Sequence, residues 1–334
     1  MVERRNTIEG PLDVEQFRRR RPQEDVISVL ALGTFDGVHL GHQAILREAL
    51  TLKERLSAQW DGFRMETVAF TFDALPLEVL RPEEAPARLM STEQRCRHLL
   101  AVGVDRVVLA RFDEAFSRLE PEDYVRDILL GAFRVGAIVA GYNHRFGRGG
   151  RGDISLLRRV AGDVAIHMVP EVKVDGAPVS STVIRQLLAE GRCEQAASLL
   201  GRPYFLEGTV VTGFQQGREL GHPTANLQPH PQLLVPGQGV YLTRVRKDDG
   251  LLGYALTVIS TRPTFDGRAL SVESHILDFA GDLYGSFIQV EFLEYLRPIV
   301  RFDGVEALRR QIEADVEEAR RRSAARTGAD GSFT

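Results

Sequence analysis

The sequence predicts two domains: an α/β domain built on a parallel sheet, then an antiparallel β-barrel closed by a terminal helix. From Val26 to Val169 short β-branched or apolar runs alternate with helical patterns, the signature of a parallel sheet covered on both faces. From Tyr204 the period changes, and short strand-like runs follow one another between Gly, Pro and Asp, the spacing of a barrel. A chain of 334 residues also holds two cores at roughly 150 residues per domain.

Within the first half, Val26–Leu32, Thr67–Phe72, Arg106–Ala110, Ala137–Gly141 and Val164–Val169 read as buried strands. Between them Gln43–Leu56, Ser91–Val102 and Pro121–Leu130 read as helices; Ser91 with Gln94 forms a capping box and Gly103 ends the second helix. Ser181-Thr182 caps a helix reaching Glu190, closed by Gly191, and a second short helix ends at Leu200-Gly201. Domain one is thus expected over 1–187, a helical linker over 188–202 and the barrel domain over 203–322. Barrel strands are expected at Phe205–Val211, Gly239–Arg246, Gly253–Ile259, Ser271–Leu277 and Phe287–Phe292. Leu308, Ile312 and Val316 give the helix Asp303–Arg321 one apolar stripe, and the small polar stretch 323–334 is expected to be a disordered tail.

Composition narrows the function classes. With 43% hydrophobic and 26% charged residues the chain is an ordinary globular sequence, and a net charge of −4 argues against coating nucleic acid. Arg18–Arg21 read as a solvated N-terminal face, since salt screens exposed charges beyond about 10 Å at 0.1 M. Cys96 and Cys193 lie far apart with no metal-ligand spacing, which fits a reducing compartment. Neither a signal-peptide pattern nor an apolar membrane span is legible, so a cytoplasmic protein without membrane partners is expected.

The chemistry-bearing turn follows the first strand: Gly33-Thr-Phe35-Asp36-Gly37-Val-His39-Leu-Gly41-His42. A strand, a tight glycine turn and a helix start let backbone N–H groups and two imidazoles meet a phosphate chain. Nucleotidyl transfer puts extra negative charge on oxygens around one phosphorus, so His39 and His42 are candidate donors there. Ser181 and Thr182 set hydroxyls at a helix N-terminus with Arg185 one turn in, suited to outer phosphates. Asn143 lies in the glycine-arginine loop Gly141-Tyr-Asn-His-Arg-Phe-Gly147. In the second half, Gly213, Gly217 and Gly221 allow close backbone approach to a nucleotide, and the Thr224 hydroxyl and Asn226 carbonyl are hard oxygen ligands suited to Mg²⁺. Taken alone, the Pro-Thr-Ala-Asn stretch is equally compatible with a structural turn.

In their order and spacing these segments resemble the prokaryotic bifunctional riboflavin kinase/FAD synthetase family. That family's adenylyltransferase pattern is a G-x-F-D-G-V-H-x-G-H turn, a G-x-[ND]-[FH]-x-F-G loop and a final S-S-T-x-I-R, and residues 25–325 follow the family layout. The resemblance implies a Rossmann-like nucleotidyltransferase domain followed by a riboflavin-kinase barrel. By it, Gly33, Phe35, Asp36, Gly41, Asn143, Ser181, Thr182 and Arg185 would bind ATP or its phosphates, Asp36 would also help shape the turn, and His39 and His42 would bind phosphates or assist transfer. Glu273 would be the base for the ribityl 5′-hydroxyl, and Gly213, Gly217, Arg218, Gly221, Pro223 and Arg297 would meet ATP or flavin in the kinase. Riboflavin, FMN, FAD, ATP and Mg²⁺ are then the implied small molecules, with weak self-association allowed. Two stretches depart from the family pattern. Leu75 stands where F-x-P-H-P carries histidine, and Val258-Ile259-Ser260 stands where Asn-Ile-Gly is common. Two alternatives remain at this level: another H-x-G-H nucleotidyltransferase, or a flavin- or nucleotide-binding regulator with one decayed site.

Overall fold

The computed structural model describes residues 6–212, 222–248, 250–264 and 267–330. It divides into two compact units, Met1–Ser181 and Thr182–Thr334. Among the described residues, no helix is long and apolar enough to cross a membrane.

The first unit is a six-stranded, all-parallel sheet. Its strands are β1 (Thr7–Leu12), β2 (Val26–Leu32), β3 (Arg64–Phe72), β4 (Arg106–Ala110), β5 (Val135–Gly141) and β6 (Ala165–Val169), in the order β1-β4-β3-β2-β5-β6. β2 is buried at every residue, as a central parallel strand covered on both faces must be. On one face Leu30, Phe70 and Val108 pack with Phe17, Tyr124 and Ile128. The helix after β2, Leu40–Ser57, packs on β2, β3 and β5 and buries Ile45, Leu46, Ala49 and Leu52. The chain runs outward from β2 through β3 to β4, then returns to the other side of β2 for β5 and β6. Ligands in open parallel sheets bind outside the carboxyl ends of the strands at such a reversal. Here those ends carry the turn 33–39 and the loop 141–147.

The N-terminal segment differs from expectation. β1 adds an edge strand and is followed by a short helix, α1 (Val14–Arg19), with a capping box between Asp13 and Gln16. The arginine run is correspondingly not a simple solvated face. Arg20 pairs with Glu9, donates to the Ala132 carbonyl at 3.1 Å and lies over the Phe133 ring, while Arg18 pairs with Asp127.

In the second unit six antiparallel strands close a barrel: β7 (Tyr204–Val211), β8 (Ala225–Pro229), β9 (Gly239–Lys247), β10 (Gly250–Thr264), β11 (Gly267–Ile276) and β12 (Phe287–Arg297). Closure follows the order β8-β11-β10-β9-β12-β7 and returns to β8, so every strand has a partner on both sides. β8 is the strand that the sequence pattern misses, being five residues long and ending in proline. The 188–202 stretch expected as a linker carries the helix Cys193–Leu200, which packs against β7 and β12. The terminal helix, Val305–Asp330, lays Val316 and Ala319 over Val240, Leu242 and Leu256 on the outside of the barrel.

That helix overturns the expected tail between 323 and 330. Arg322 and Arg326 both pair with Glu294 of β12, and Ser323 is buried, so the helix remains useful to the barrel beyond its apolar stripe. Residues 331–334 lie outside the described residues.

Candidate active sites

The turn after β2 is held by unusual backbone. Phe35, Gly37 and Val38 have φ of 54°, 86° and 41°, so two non-glycine residues, one β-branched, occupy the left-handed region. Such conformations cost of order 1–3 kcal/mol each and persist only where the surroundings enforce them. Asp36 supplies much of that enforcement. Its buried carboxylate accepts from the amides of Leu89 (3.1 Å) and Met90 (3.2 Å), and its own carbonyl accepts from the Ser181 hydroxyl at 2.9 Å. Gly33 and Gly41 are there for close approach: an added Cβ would lie 3.0 Å from the Phe35 ring at one and 3.2 Å from the His39 ring at the other.

His39 caps the following helix, with its Nδ1 accepting from the His42 amide at 3.2 Å. A ring nitrogen that accepts cannot carry the proton, so neutral His39 holds its proton on Nε2 and presents that edge as a donor. His39 and His42 stack, with ring centroids 3.6 Å apart and an interplanar angle of 15°, and Phe35 meets His42 edge-on at 5.3 Å. His42 is half-buried as a residue, but its Nδ1 is sealed and has no hydrogen-bond partner among the described residues. Burial, then the neighbouring His39 and the Arg95 charge, hold His42 well below the ordinary histidine pKa.

Arg95 is a residue that the sequence pattern does not reveal. It is almost completely buried, donates to the Phe72 carbonyl and sits in the field of Asp36; burial lowers its pKa while Asp36 opposes that shift. Its place on an amphipathic helix gave the only signal, as a charged residue at an inward position. Leu75 is buried, and its amide donates to Glu78, which is in turn gripped by Arg88 at 2.6 Å. The place where the family pattern has a histidine is therefore a packed leucine beside a half-buried ion pair.

Asn143 lies in the loop after β5, the strand next to β2. Thr182 and Arg185 lie on the helix that starts at Ser181. In the Asn143 loop, the half-buried His144 ring stacks on Phe146 at 5.7 Å, and its sealed Nε2 has no partner among the described residues. Burial pushes His144 down to about 4. In the unfolded chain it titrates near 6.5. Between those values the unfolded chain binds more protons, so the His144 contribution is complete above about pH 6.5 and is lost as pH falls towards about 4. The parent should therefore lose melting temperature relative to a His144→Phe variant as pH falls from 7 to 4.5. Parallel pH profiles for the two proteins would refute this.

In the second unit a cavity of about 490 Å³ is lined by Pro223, Thr224, Asn226 and Ser274, with Phe279 and Tyr284 among its aromatic walls. Asn226 of β8 stands directly opposite Glu273 of β11, and paired residues on neighbouring strands share a face. Val258 of β10 is the register partner of Glu273 on its other side, so the Val258-Ile259-Ser260 departure lies against the strand that carries the candidate base. The Ser271 hydroxyl donates to the Glu273 carboxylate at 3.0 Å. Ser274, one residue on, points inward to Thr257 (2.8 Å), which meets Thr243 (2.6 Å) in a buried hydroxyl chain. Phe279 and Tyr284 were not legible as cavity residues because the loop that carries them is far from Thr224 in sequence, and Ser274 was not because it reaches the cavity through the pairing of β11 with β8.

Arg297 does not line this cavity. It forms a bidentate pair with Asp315 of the terminal helix, with Nε 2.8 Å from Oδ1, and so ties that helix to β12. Gly213, Gly217, Arg218 and Gly221 lie outside the described residues.

Comparison with known proteins agrees with both halves. A family model for FAD synthetase matches residues 21–183, and one for riboflavin kinase matches residues 200–323. A bifunctional riboflavin kinase/FMN adenylyltransferase of Listeria monocytogenes is 35% identical over 89% of this chain and 92% of its own length. The enzyme of the same name from Escherichia coli K12 is 36% identical over 90% of this chain and 93% of its length. A crystal structure described as a macrolide-efflux protein from Streptococcus pneumoniae superposes with a TM-score of 0.82 at 30% identity, covering 94% of this chain and 98% of that one. With both modules in the same order and similarity of this extent, the chain belongs to the bifunctional riboflavin kinase/FMN adenylyltransferase family.

Proposed function

We propose that the barrel transfers the γ-phosphoryl group of ATP to riboflavin, and that the α/β unit then transfers AMP from a second ATP to the FMN so made. The observation that supports this reading is that Glu273 is the register partner of Asn226, which lines the cavity together with Thr224, although Glu273 itself is not among the lining residues. A stand-alone H-x-G-H nucleotidyltransferase leaves that second site without a role. A cytoplasmic location is part of the proposal and accords with two free, buried cysteines.

In the kinase step the ribityl 5′-oxygen attacks the γ-phosphorus, its proton passes to the Glu273 carboxylate and ADP departs. A carboxylate is a weak base for an alcohol, so placement must supply much of the effect of Glu273. Thr224 and Asn226 would hold Mg²⁺. A hydroxyl and an amide carbonyl suit a hard cation, and two protein ligands suffice where phosphates and water complete the shell. The ion supplies charge neutralisation on the transferring phosphoryl group.

In the adenylylation step an FMN phosphate oxygen attacks the α-phosphorus of ATP and pyrophosphate leaves. His39 Nε2–H and His42 are donors to oxygens that gain charge in the transition state, and the N-terminus of their helix adds its positive end. Asp36 and Arg95 keep the turn and rings in place beforehand. Ser181, Thr182 and Arg185 would take the outer phosphates. The test is incubation of the purified chain with riboflavin, ATP and MgCl₂, with flavins separated over time. FMN followed by FAD supports the reading, and failure to form FMN removes its kinase half.

A further inference from the structure

The β8–β11 ladder ends at Ala225 opposite Ser274, just short of the candidate metal ligand Thr224. Pro223 has no N–H with which to continue it. Beyond that point a side chain takes over: His275 Nδ1 lies 2.9 Å from the Pro223 carbonyl. A carbonyl can only accept, so Nδ1 carries the proton and Nε2 offers its lone pair. His222 answers that lone pair, with its Nδ1 3.4 Å from His275 Nε2 and the rings meeting edge-on at 4.9 Å and 89°. One strand thus supplies Glu273, the cavity residue Ser274 and the anchor His275 in succession.

We infer that His275, steadied by His222, is a positioning residue for the kinase. It pins the Pro223 carbonyl to β11 and so fixes Thr224 and Asn226 at the cavity before nucleotide and cation arrive. The inference rests on the proposed role of Thr224 and Asn226 as cation ligands. Groups that hydrogen-bond a metal ligand directly contribute about 10–100-fold to metal affinity, and an anchor on the residue before the ligand is expected at the low end of that range.

The test uses the full chain and begins without nucleotide. Backbone hydrogen exchange of residues 222–227 should accelerate in His275→Ala and return towards the parent rate in His275→Asn, whose amide nitrogen replaces Nδ1 as donor. In turnover, His275→Ala should raise the half-saturating Mg²⁺ concentration and the KM for ATP about tenfold. Kinase kcat should fall less than KM rises, and adenylylation of supplied FMN should be unchanged. Parental exchange and KM in His275→Ala, or an asparagine variant as impaired as the alanine one, overturns the inference. If His275→Ala does not fold, His275→Asn and His275→Gln decide: restoration by asparagine alone supports the anchor, and equal behaviour overturns it. Thr224→Val separates the underlying reading. If it leaves the Mg²⁺ requirement unchanged, the ligand assignment fails, whereas the exchange result judges the anchor by itself.

Discussion

A His42→Ala enzyme should lose about 100- to 1,000-fold in FAD formation from supplied FMN, while still converting riboflavin to FMN at the parental rate. The magnitude is that of removing one preorganised donor to a developing oxyanion. Preorganisation is visible here: the ring is stacked at 3.6 Å on His39, edged by Phe35, and its Nδ1 is sealed from solvent. The His42 amide that His39 accepts from survives the substitution, so the helix cap remains and folding is not the cause of the loss. The pH profile offers a second check. Because His42 is held well below the ordinary histidine range, any acid limb due to it lies below the pH at which an ordinary histidine protonates. Chromatographic rates of FMN and FAD formation measured separately would decide. Intact FAD synthesis in His42→Ala would remove this turn from the chemistry.

How much of this was legible beforehand depended on how local each feature is. The five sheet strands from Val26 onward, the capped helices and the histidine turn are written in contiguous residues, and they appear as expected. β1 was not legible because Thr7–Leu12 contains Gly10 and Pro11 and is largely exposed at the sheet edge, so it lacks the apolar run of a buried strand. β8 escaped because it is only five residues long and ends in proline. That Asp36 shapes the turn was expected from the resemblance, but its partners, the amides of Leu89 and Met90, and the contact of Arg95 with the Phe72 carbonyl lie more than 20 residues away in sequence. No spacing rule encodes such pairs. Arg297 is a further case: its partner Asp315 lies on the terminal helix, so the ion pair that ties the two elements together could not be read from either stretch alone.

Glu273→Gln should lower riboflavin phosphorylation by about 100- to 10,000-fold, the range for loss of a positioned general base. Adenylylation of supplied FMN should persist, the mirror image of the His42 variant. Glutamine preserves the size of the side chain and an oxygen that can accept from the Ser271 hydroxyl, so the half-buried face between Asn226 and Val258 need not repack. What it removes is the ability to take the 5′-hydroxyl proton. ATP binding measured by calorimetry in the presence of Mg²⁺ should therefore be nearly unchanged, since Thr224 and Asn226 are untouched. Glu273→Asp separates placement from basicity. It keeps a carboxylate but withdraws it by one methylene, and a displacement near 1 Å can itself cost about 100-fold. If aspartate worked as well as glutamate, position would matter less than argued here. If glutamine retained kinase activity within tenfold of the parent, a different group would have to accept the proton. The His275 anchor would then be holding cation ligands beside a base yet to be located, because its effect on exchange at 222–227 does not pass through Glu273.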